Sequence, residues 1–300
     1  MFLATFHDDE LPALDVPPSL PPELQLGAIH LTVTDLDRSV AFYAQALGLH
    51  VRSRSDRQAT MGTATRDLLV LVAEPLARPA ARHAGLYHFA LLFPGRDELA
   101  RAVHRLAATR TPIQGASDHG VSEAVYLPDP DGNGIELYAD RARPDWPAPT
   151  GPGERVGMYT VALDLHGLLD SVDADVPELA PDDVTIGHLH LHVGDVQEAV
   201  RFYSDVLGLE VMVDMPSASF LAAGGYHHHL GVNVWRGKGV GPAPIGTVGL
   251  REWTIVLPTG DDVAAVRARI ESAGLRAPDR EGGFAVRDPW GVSLVVRSAA

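Results

Sequence analysis

The sequence predicts an α+β protein built from four repeats of a βαβββ unit, and two internal matches lead to this prediction. The nine residues 27–35 return as 187–195, a shift of 160 positions, and the similarity continues into the segments that follow. A weaker match relates residues 86–140 to residues 250–297. Internal repeats of this kind indicate repeated structural units. The 300 residues therefore contain four modules, two in each half.

The elements of each module follow from the residue pattern. Apolar residues alternate at Ile29, Leu31 and Val33, which predicts a half-buried strand at the start of the first module. A helix follows, because Asp35 is able to cap it, apolar residues recur at helical spacing and Gly48 ends it. Further strand-like runs complete the modules, among them Leu68–Val72, Ala124–Leu127, Gly134–Tyr138 and Leu230–Trp235.

The distribution of proline and glycine divides the chain. We expect a Pro-rich tail at residues 1–23, a first domain at 24–140 and a second domain at 184–300. Residues 141–183 between them are rich in Pro, Gly and Asp and indicate a linker with one short helix.

Composition restricts the function. The formal net charge of −15 disfavours binding to nucleic acid or to anionic lipid, and no apolar run is long enough to span a bilayer. The acidic N-terminus lacks the features of an export signal, so we expect a soluble, cytoplasmic protein. A homo-oligomer is left open. The chain has no cysteine, so any metal must be held by histidine and carboxylate side chains.

Two histidines and one glutamate are the strongest candidates for a metal site. His88, Glu136 and His188 each lie within a strand-like run. A carboxylate inside an apolar strand requires a partner if it is buried, and a cation would supply one. Two imidazoles and one carboxylate are the ligand set typical of non-haem Fe(II) enzymes.

The repeats and motifs resemble the vicinal oxygen chelate superfamily, which includes glyoxalases, fosfomycin thiol transferases, bleomycin-binding proteins and extradiol dioxygenases. The similarity extends from residue 24 to residue 297. The residues that carry it are the module repeat itself, the helix start Asp35-Leu36-x-x-Ser39-x-x-Phe42-Tyr43, the segment Tyr87-His88-Phe89 and the turn and strand Asp129-Pro130-Asp131-Gly132-Asn133-Gly134-Ile135-Glu136-Leu137. This resemblance implies that the four modules form two cup-shaped mixed sheets.

Within the superfamily, the chain is most similar to the extradiol enzymes of the catechol-2,3-dioxygenase type. The segments 115–126 and 220–229 carry this closer resemblance. It implies that His119 is an acid–base histidine beside the metal and that Tyr126, ten residues before Glu136, is the active-site tyrosine. By the same likeness, His228 or its neighbour His227 is expected to reach the pocket.

The third metal ligand is assigned from the family's spacing, in which it stands seven residues before the aspartate that opens the helix. This spacing selects His188 in the third module but Ala28 in the first. A site of His88, Glu136 and His188 requires the second and third modules to share one cup, with the first and fourth forming a degenerate partner. His30, two residues after Ala28, is the alternative third ligand.

The resemblance implies ring cleavage of catechol or a substituted catechol, next to the diol, by O₂ at one Fe(II) or Mn(II) ion. The expected partners are therefore a small aromatic diol and O₂. Two other functions remain open: a glyoxalase-type isomerase or thiol transferase, and a metal-free protein that binds a small molecule.

Overall fold

A computed structural model describes residues 19–80, 82–173 and 177–299. The predicted α+β class and the four-module organisation are confirmed. Most of the predicted N-terminal tail, residues 1–18, lies outside the described residues. Among the residues that the structure describes, no helix is long and apolar enough to cross a membrane.

The described residues form eighteen strands and five α-helices. The strands are β1 Gln25–Leu26, β2 Ile29–Val33, β3 His50–Arg54, β4 Gln58–Gly62, β5 Asp67–Ala73, β6 Gly85–Phe93, β7 Gly115–Asp118, β8 Ser122–Pro128, β9 Gly134–Asp140, β10 Val161–Ala162, β11 Thr185–His192, β12 Glu210–Met215, β13 Ala218–Ala222, β14 Leu230–Asn233, β15 Gly249–Leu257, β16 Asp279–Arg280, β17 Gly283–Arg287 and β18 Ser293–Ser298. The helices are α1 Leu36–Gln45, α2 Arg96–Ala108, α3 Leu165–Leu169, α4 Val196–Val200 and α5 Gly260–Ser272.

The strands are arranged in two nine-stranded mixed sheets. In the first sheet the order is β16-β17-β18-β15-β2-β5-β4-β3, with β1 beside β15. In the second sheet the order is β10-β7-β8-β9-β6-β11-β14-β13-β12. The first sheet thus combines the first and fourth modules, and the second sheet combines the second and third, as the ligand spacing predicts.

In each sheet, one antiparallel pair of strands joins the two modules, and the two strands come from different halves of the chain. In the second sheet β6 pairs with β11, and in the first sheet β2 pairs with β15. Both halves of the sequence therefore contribute to both sheets. The division at 24–140 and 184–300 describes the sequence repeat, and its boundaries stay a prediction.

The first helix begins and ends close to the residues predicted. The side chain of Asp35 caps α1 by accepting a hydrogen bond from the backbone N–H of Arg38, and Gly48 takes a positive φ of 69° after the helix. The equivalent helix of the third module differs. Asp195 caps α4 in the same way, but residues 201–206 continue as a π-helix.

A buried tyrosine joins each of these helices to a turn in the following module. The Tyr43 hydroxyl donates to Asp129 Oδ2 over 2.9 Å, and the Tyr203 hydroxyl donates to Asp288 Oδ2 over the same distance. Burial raises the pKa of both aspartates, that of Asp288 to about 6, although these hydrogen bonds oppose the increase. The two halves thus repeat the same anchor between helix and turn.

The predicted linker contains the expected short helix, α3, and one strand that was not predicted. This strand, β10, pairs with β7 at the edge of the second sheet. The pairing holds residues 158–160 against the open side of that sheet, where they border the cavity described below.

We expect Tyr43→Phe to lower the free energy of unfolding by ~1.5–3 kcal/mol, because the change removes a buried hydrogen bond to an ionisable group. Urea denaturation measures this loss. The control is Tyr159→Phe, since Tyr159 is 46% exposed and its hydroxyl has no partner among the described residues; its effect should stay within ~0.5 kcal/mol. Equal effects of the two changes would contradict the anchor.

Candidate metal centre and cavity

Three adjacent strands in the middle of the second sheet carry the predicted ligands. His88 lies on β6, Glu136 on β9 and His188 on β11, with β6 in the centre. Ala90 of β6 is the register partner of both Glu136 and His188. Because a small alanine separates them, the longer side chains of Glu136 and His188 can meet above it. His88, two residues before Ala90, shares the same face of the sheet.

The three side chains converge on one carboxylate oxygen. Glu136 Oε2 lies 3.0 Å from His88 Nε2 and 3.1 Å from His188 Nε2. All three side chains are buried, with exposures of 6% for His88, 3% for Glu136 and 1% for His188. The described residues contain no other group of at least three histidine or carboxylate side chains that converges in this way.

Burial and the two imidazoles together set the charge of the cluster. Burial alone would raise the pKa of the Glu136 carboxyl, but His188 and His88 hold it well below its usual value. Burial lowers the pKa of His188, against the opposing effect of Glu136. Both directions favour the deprotonated forms of these two groups, which are the forms that bind metal ions.

The geometry fits a divalent ion. His88 Nε2 has no hydrogen-bond partner in the described part of the chain, although it lies 3.0 Å from the carboxylate, because the angles are unsuitable. Ligand atoms ~2.1 Å from a metal and at right angles around it are ~3.0 Å apart. The two N–O separations match this value, so His88, Glu136 and His188 could form one face of an octahedron.

His119 and Tyr126 form a hydrogen-bonded pair beside the cluster. Tyr126 on β8 is the register partner of Glu136, and its hydroxyl lies 2.7 Å from His119 Nε2. Burial, followed by the charge of Glu136, raises the pKa of Tyr126 well above its usual value. His119 Nδ1 lies 3.1 Å from the backbone oxygen of Tyr159. Because a carbonyl only accepts, Nδ1 carries a proton and Tyr126 donates to Nε2.

His228 lies on the other side of the cluster. Its ring packs against His188, tilted by 46° with centroids 4.1 Å apart, and lines the adjacent cavity. Burial lowers the pKa of His228 well below its usual value. His227 is fully buried and points away from the cavity, toward Asp140. The run of three histidines lies in the coil between β13 and β14 rather than inside a strand.

A cavity of about 850 Å³ opens onto these side chains. His88, Glu136, His119, Tyr126 and His228 all contribute to its wall. The rest of the lining combines apolar and aromatic residues with polar ones: the first group includes Val121, Met158, Val213, Met215, Phe220 and Trp235, and the second includes Gln114, Ser117, Ser122 and Glu154. Arg236 is the only lysine or arginine of the described residues that lines it. The cavity is therefore suited to an uncharged or weakly charged aromatic molecule.

Two further histidines of β11 extend the row outward from His188. His190 and His192 are both buried, and His190 packs against His88 with ring centroids 5.1 Å apart. Tyr87, which the sequence did not single out, contacts both of them. The row forms one wall of the cavity, and neither residue joins the cluster of three ligands.

The structure places His30 in the first sheet, away from His88 and Glu136. Its register partner on β15 is Glu252, whose carboxylate accepts a hydrogen bond from the Ser293 hydroxyl. A separate cavity of about 620 Å³ adjoins these residues. Among the described residues, His30 belongs to no group of three metal ligands, so the geometry favours His188 over this alternative.

Comparison with known proteins identifies the family. The sequence profile described as Glyoxalase/Bleomycin resistance protein/Dioxygenase superfamily matches residues 25–137 and 185–296. The catechol-2,3-dioxygenase of Bacillus subtilis (strain 168) is 42% identical over 279 residues, which cover 90% of this chain and 96% of that protein.

Solved structures show the same fold at low sequence identity. A Bacillus subtilis protein with a provisional dioxygenase assignment superposes with a TM-score of 0.65 at 13% identity, covering 93% of this chain and 86% of that one. Glyoxalase I from Zea mays gives a TM-score of 0.54 at 18% identity, covering 91% and 92%. The chain belongs to the glyoxalase/bleomycin resistance protein/dioxygenase superfamily.

Proposed function

We propose that the chain is an extradiol dioxygenase of the catechol-2,3-dioxygenase type, which opens the ring of catechol or a substituted catechol with O₂. The convergence of His88, Glu136 and His188 beside a cavity with apolar and aromatic side chains in its wall carries this proposal. The 42% identity to the catechol-2,3-dioxygenase of Bacillus subtilis supports it over nearly the whole chain.

His88, Glu136 and His188 would hold one Fe(II), or Mn(II), through two imidazole nitrogens and a carboxylate oxygen. When bound, such an ion offers open positions where the two oxygens of a diol and O₂ are brought together, and it allows electron density to pass between them. The protein contributes a fixed ligand set, since burial and strand pairing hold all three side chains in place.

His119 and Tyr126 would control a proton next to the diol. In the structure the Tyr126 hydroxyl donates to His119 Nε2. A proton taken up at His119 Nε2 reverses this hydrogen bond, and the Tyr126 O–H is then free to donate to a substrate oxygen. His119 thereby acts as acid and base, and Tyr126 stabilises negative charge on oxygen.

His228 faces the cavity from the opposite side and is the third proposed catalytic residue. Its ring is fixed against His188, so it stands next to any molecule bound at the cluster. The apolar surfaces of Phe220 and Trp235 would pack against the ring of the substrate and exclude water.

We expect the purified chain to bind one Fe(II) per molecule under anaerobic conditions. His88→Ala, Glu136→Ala and His188→Ala should each lower the affinity more than ~100-fold, because even residues that only support a ligand contribute 10–100-fold. Metal analysis after gel filtration measures the content. His30→Ala is the matched control and should keep full stoichiometry; loss of metal in this variant with retention in His188→Ala would transfer the ligand role to His30.

We expect the Fe(II)-loaded protein to consume one O₂ per catechol and to form a yellow semialdehyde. Tyr126→Phe and His119→Asn should lower kcat ~10²–10⁴-fold while iron content stays constant, because each removes a group that moves or shares a proton. An oxygen electrode follows the consumption of O₂, and visible absorbance follows the semialdehyde. The control is His50→Asn, a half-buried residue at the start of β3 in the first sheet.

Absence of O₂ consumption by the loaded protein, with isomerisation of a thiol adduct instead, would favour a glyoxalase-type isomerase. A protein that binds aromatic ligands but no metal would be a binding protein of the same fold. Either result would refute the oxygenase proposal.

A further inference from the structure

A continuous hydrogen-bonded chain leads from the cavity wall into the second sheet. His228 Nδ1 lies 2.8 Å from His227 Nδ1, and His227 Nε2 lies 2.8 Å from Asp140 Oδ1. The other oxygen of Asp140 accepts a hydrogen bond of 2.9 Å from the Tyr226 hydroxyl. Three side chains from two distant segments thus form an Asp–His–His relay that ends at the cavity.

The direction of each hydrogen bond in the relay follows from its donors and acceptors. The ionised Asp140 carboxylate only accepts, so His227 Nε2 carries a proton. In neutral His227 the other nitrogen, Nδ1, is then an acceptor. The proton between the two imidazoles therefore belongs to His228 Nδ1, and the lone pair of His228 lies on Nε2.

His228 Nε2 is the atom that the relay leaves free. This atom has no hydrogen-bond partner among the described residues, and it is not fully buried. The His228 ring lines the cavity and packs against Phe220 with centroids 5.0 Å apart. An accessible lone pair therefore faces the space next to the three candidate ligands.

We propose that Asp140 and His227 are positioning residues that fix His228 in the Nδ1-protonated tautomer, with Nε2 presented to the cavity as an acceptor. Asp140 acts through His227 and touches no bound molecule itself. If the proposed function holds, and on that basis only, His228 Nε2 accepts a hydrogen bond from a hydroxyl of the bound diol. An acceptor fixed in a cavity wall selects a hydroxyl donor over a methoxy group of similar size.

The surroundings hold the relay in a single arrangement. The Tyr226 hydroxyl lies 2.8 Å from the hydroxyl of Tyr138, which is fully buried on β9. The Tyr226 ring packs against His227, tilted by 36° with centroids 4.1 Å apart, and the ring centroids of Trp146 and His227 are 5.3 Å apart. His227 is therefore enclosed by aromatic rings, and its hydrogen bonds to Asp140 and His228 are the only ones that it makes within the described residues.

Nitrogen-15 NMR of the metal-free full chain, labelled on histidine, tests the proposal, because protonated and unprotonated ring nitrogens have well separated shifts. His228→Gln identifies the His228 signals by their disappearance. We expect a protonated Nδ1 and an unprotonated Nε2 in the original protein. His227→Phe should move the ring proton of His228 from Nδ1 to Nε2. Asp140→Asn, which keeps shape and packing, should lower the fraction of His228 protonated at Nδ1 to half or less.

Tyr159→Phe is the control, because the exposed Tyr159 hydroxyl has no partner among the described residues and lies outside the relay, and the His228 signals should not change. Near-ultraviolet circular dichroism confirms that each variant is folded. A proton on His228 Nε2 in the original protein, or an unchanged tautomer in folded Asp140→Asn, would overturn the proposal. The measurement requires neither metal nor substrate, so the relay can be established or refuted whether or not the protein cleaves catechols.

Discussion

The site depends on the antiparallel pairing of β6 with β11. This pairing joins strands that are about a hundred residues apart in the chain, and it sets Ala90 between Glu136 and His188. A shift of one residue along β11 would turn His188 to the other face of the sheet, because side chains alternate. One register therefore decides whether the three candidate ligands meet. The fully buried apolar residues on the other face, such as Phe89 and Leu189, specify that register strongly.

Electrostatics and burial act together once the register is set. A buried carboxylate is unfavourable without partners, and two imidazoles that are crowded around one oxygen do not satisfy it fully. His88 Nε2 lacks hydrogen-bond geometry, and His188 Nδ1 has no partner in the described part of the chain. Of the two nitrogens that face the carboxylate, only His188 Nε2 is hydrogen-bonded to it, over 3.1 Å, and packing holds His88 Nε2 beside it. A cation at their centre would satisfy the carboxylate and both nitrogens that face it, which explains why a fold would retain such a cluster.

The repeat and its spacing predict which strands bring His88, Glu136 and His188 together, whereas contacts that depend on tertiary packing leave no such signal in the sequence. The spacing from Asp195 selected His188, and it also required the second and third modules to share a sheet. Nothing distinguished Asp140 from an exposed acid at the end of a strand, because its contact with His227 depends on the path of the coil before β14. Likewise, nothing in the sequence indicated that the Tyr226 hydroxyl lies against Tyr138 and Asp140, outside the cavity lining. Similarly, β10 is only two residues long, and its pairing with β7 makes it a strand.

The first sheet supports the second although it lacks an equivalent of the three candidate ligands. Glu252 replaces the histidine of β6 and Val295 replaces the glutamate of β9, so its two equivalent strands carry no complete set. The first module, which lies in this sheet, instead holds the turn before β9 by hydrogen bonds. Asp129 accepts one from the Tyr43 hydroxyl, and Asp131 accepts two, from the backbone N–H and the hydroxyl of Thr34. This turn immediately precedes the strand that carries Glu136. The first module, which contributes no candidate ligand, therefore fixes the start of β9, the strand that carries Glu136. The contact between helix and turn is the same in the two halves of the chain, although the residues that face the two cavities differ.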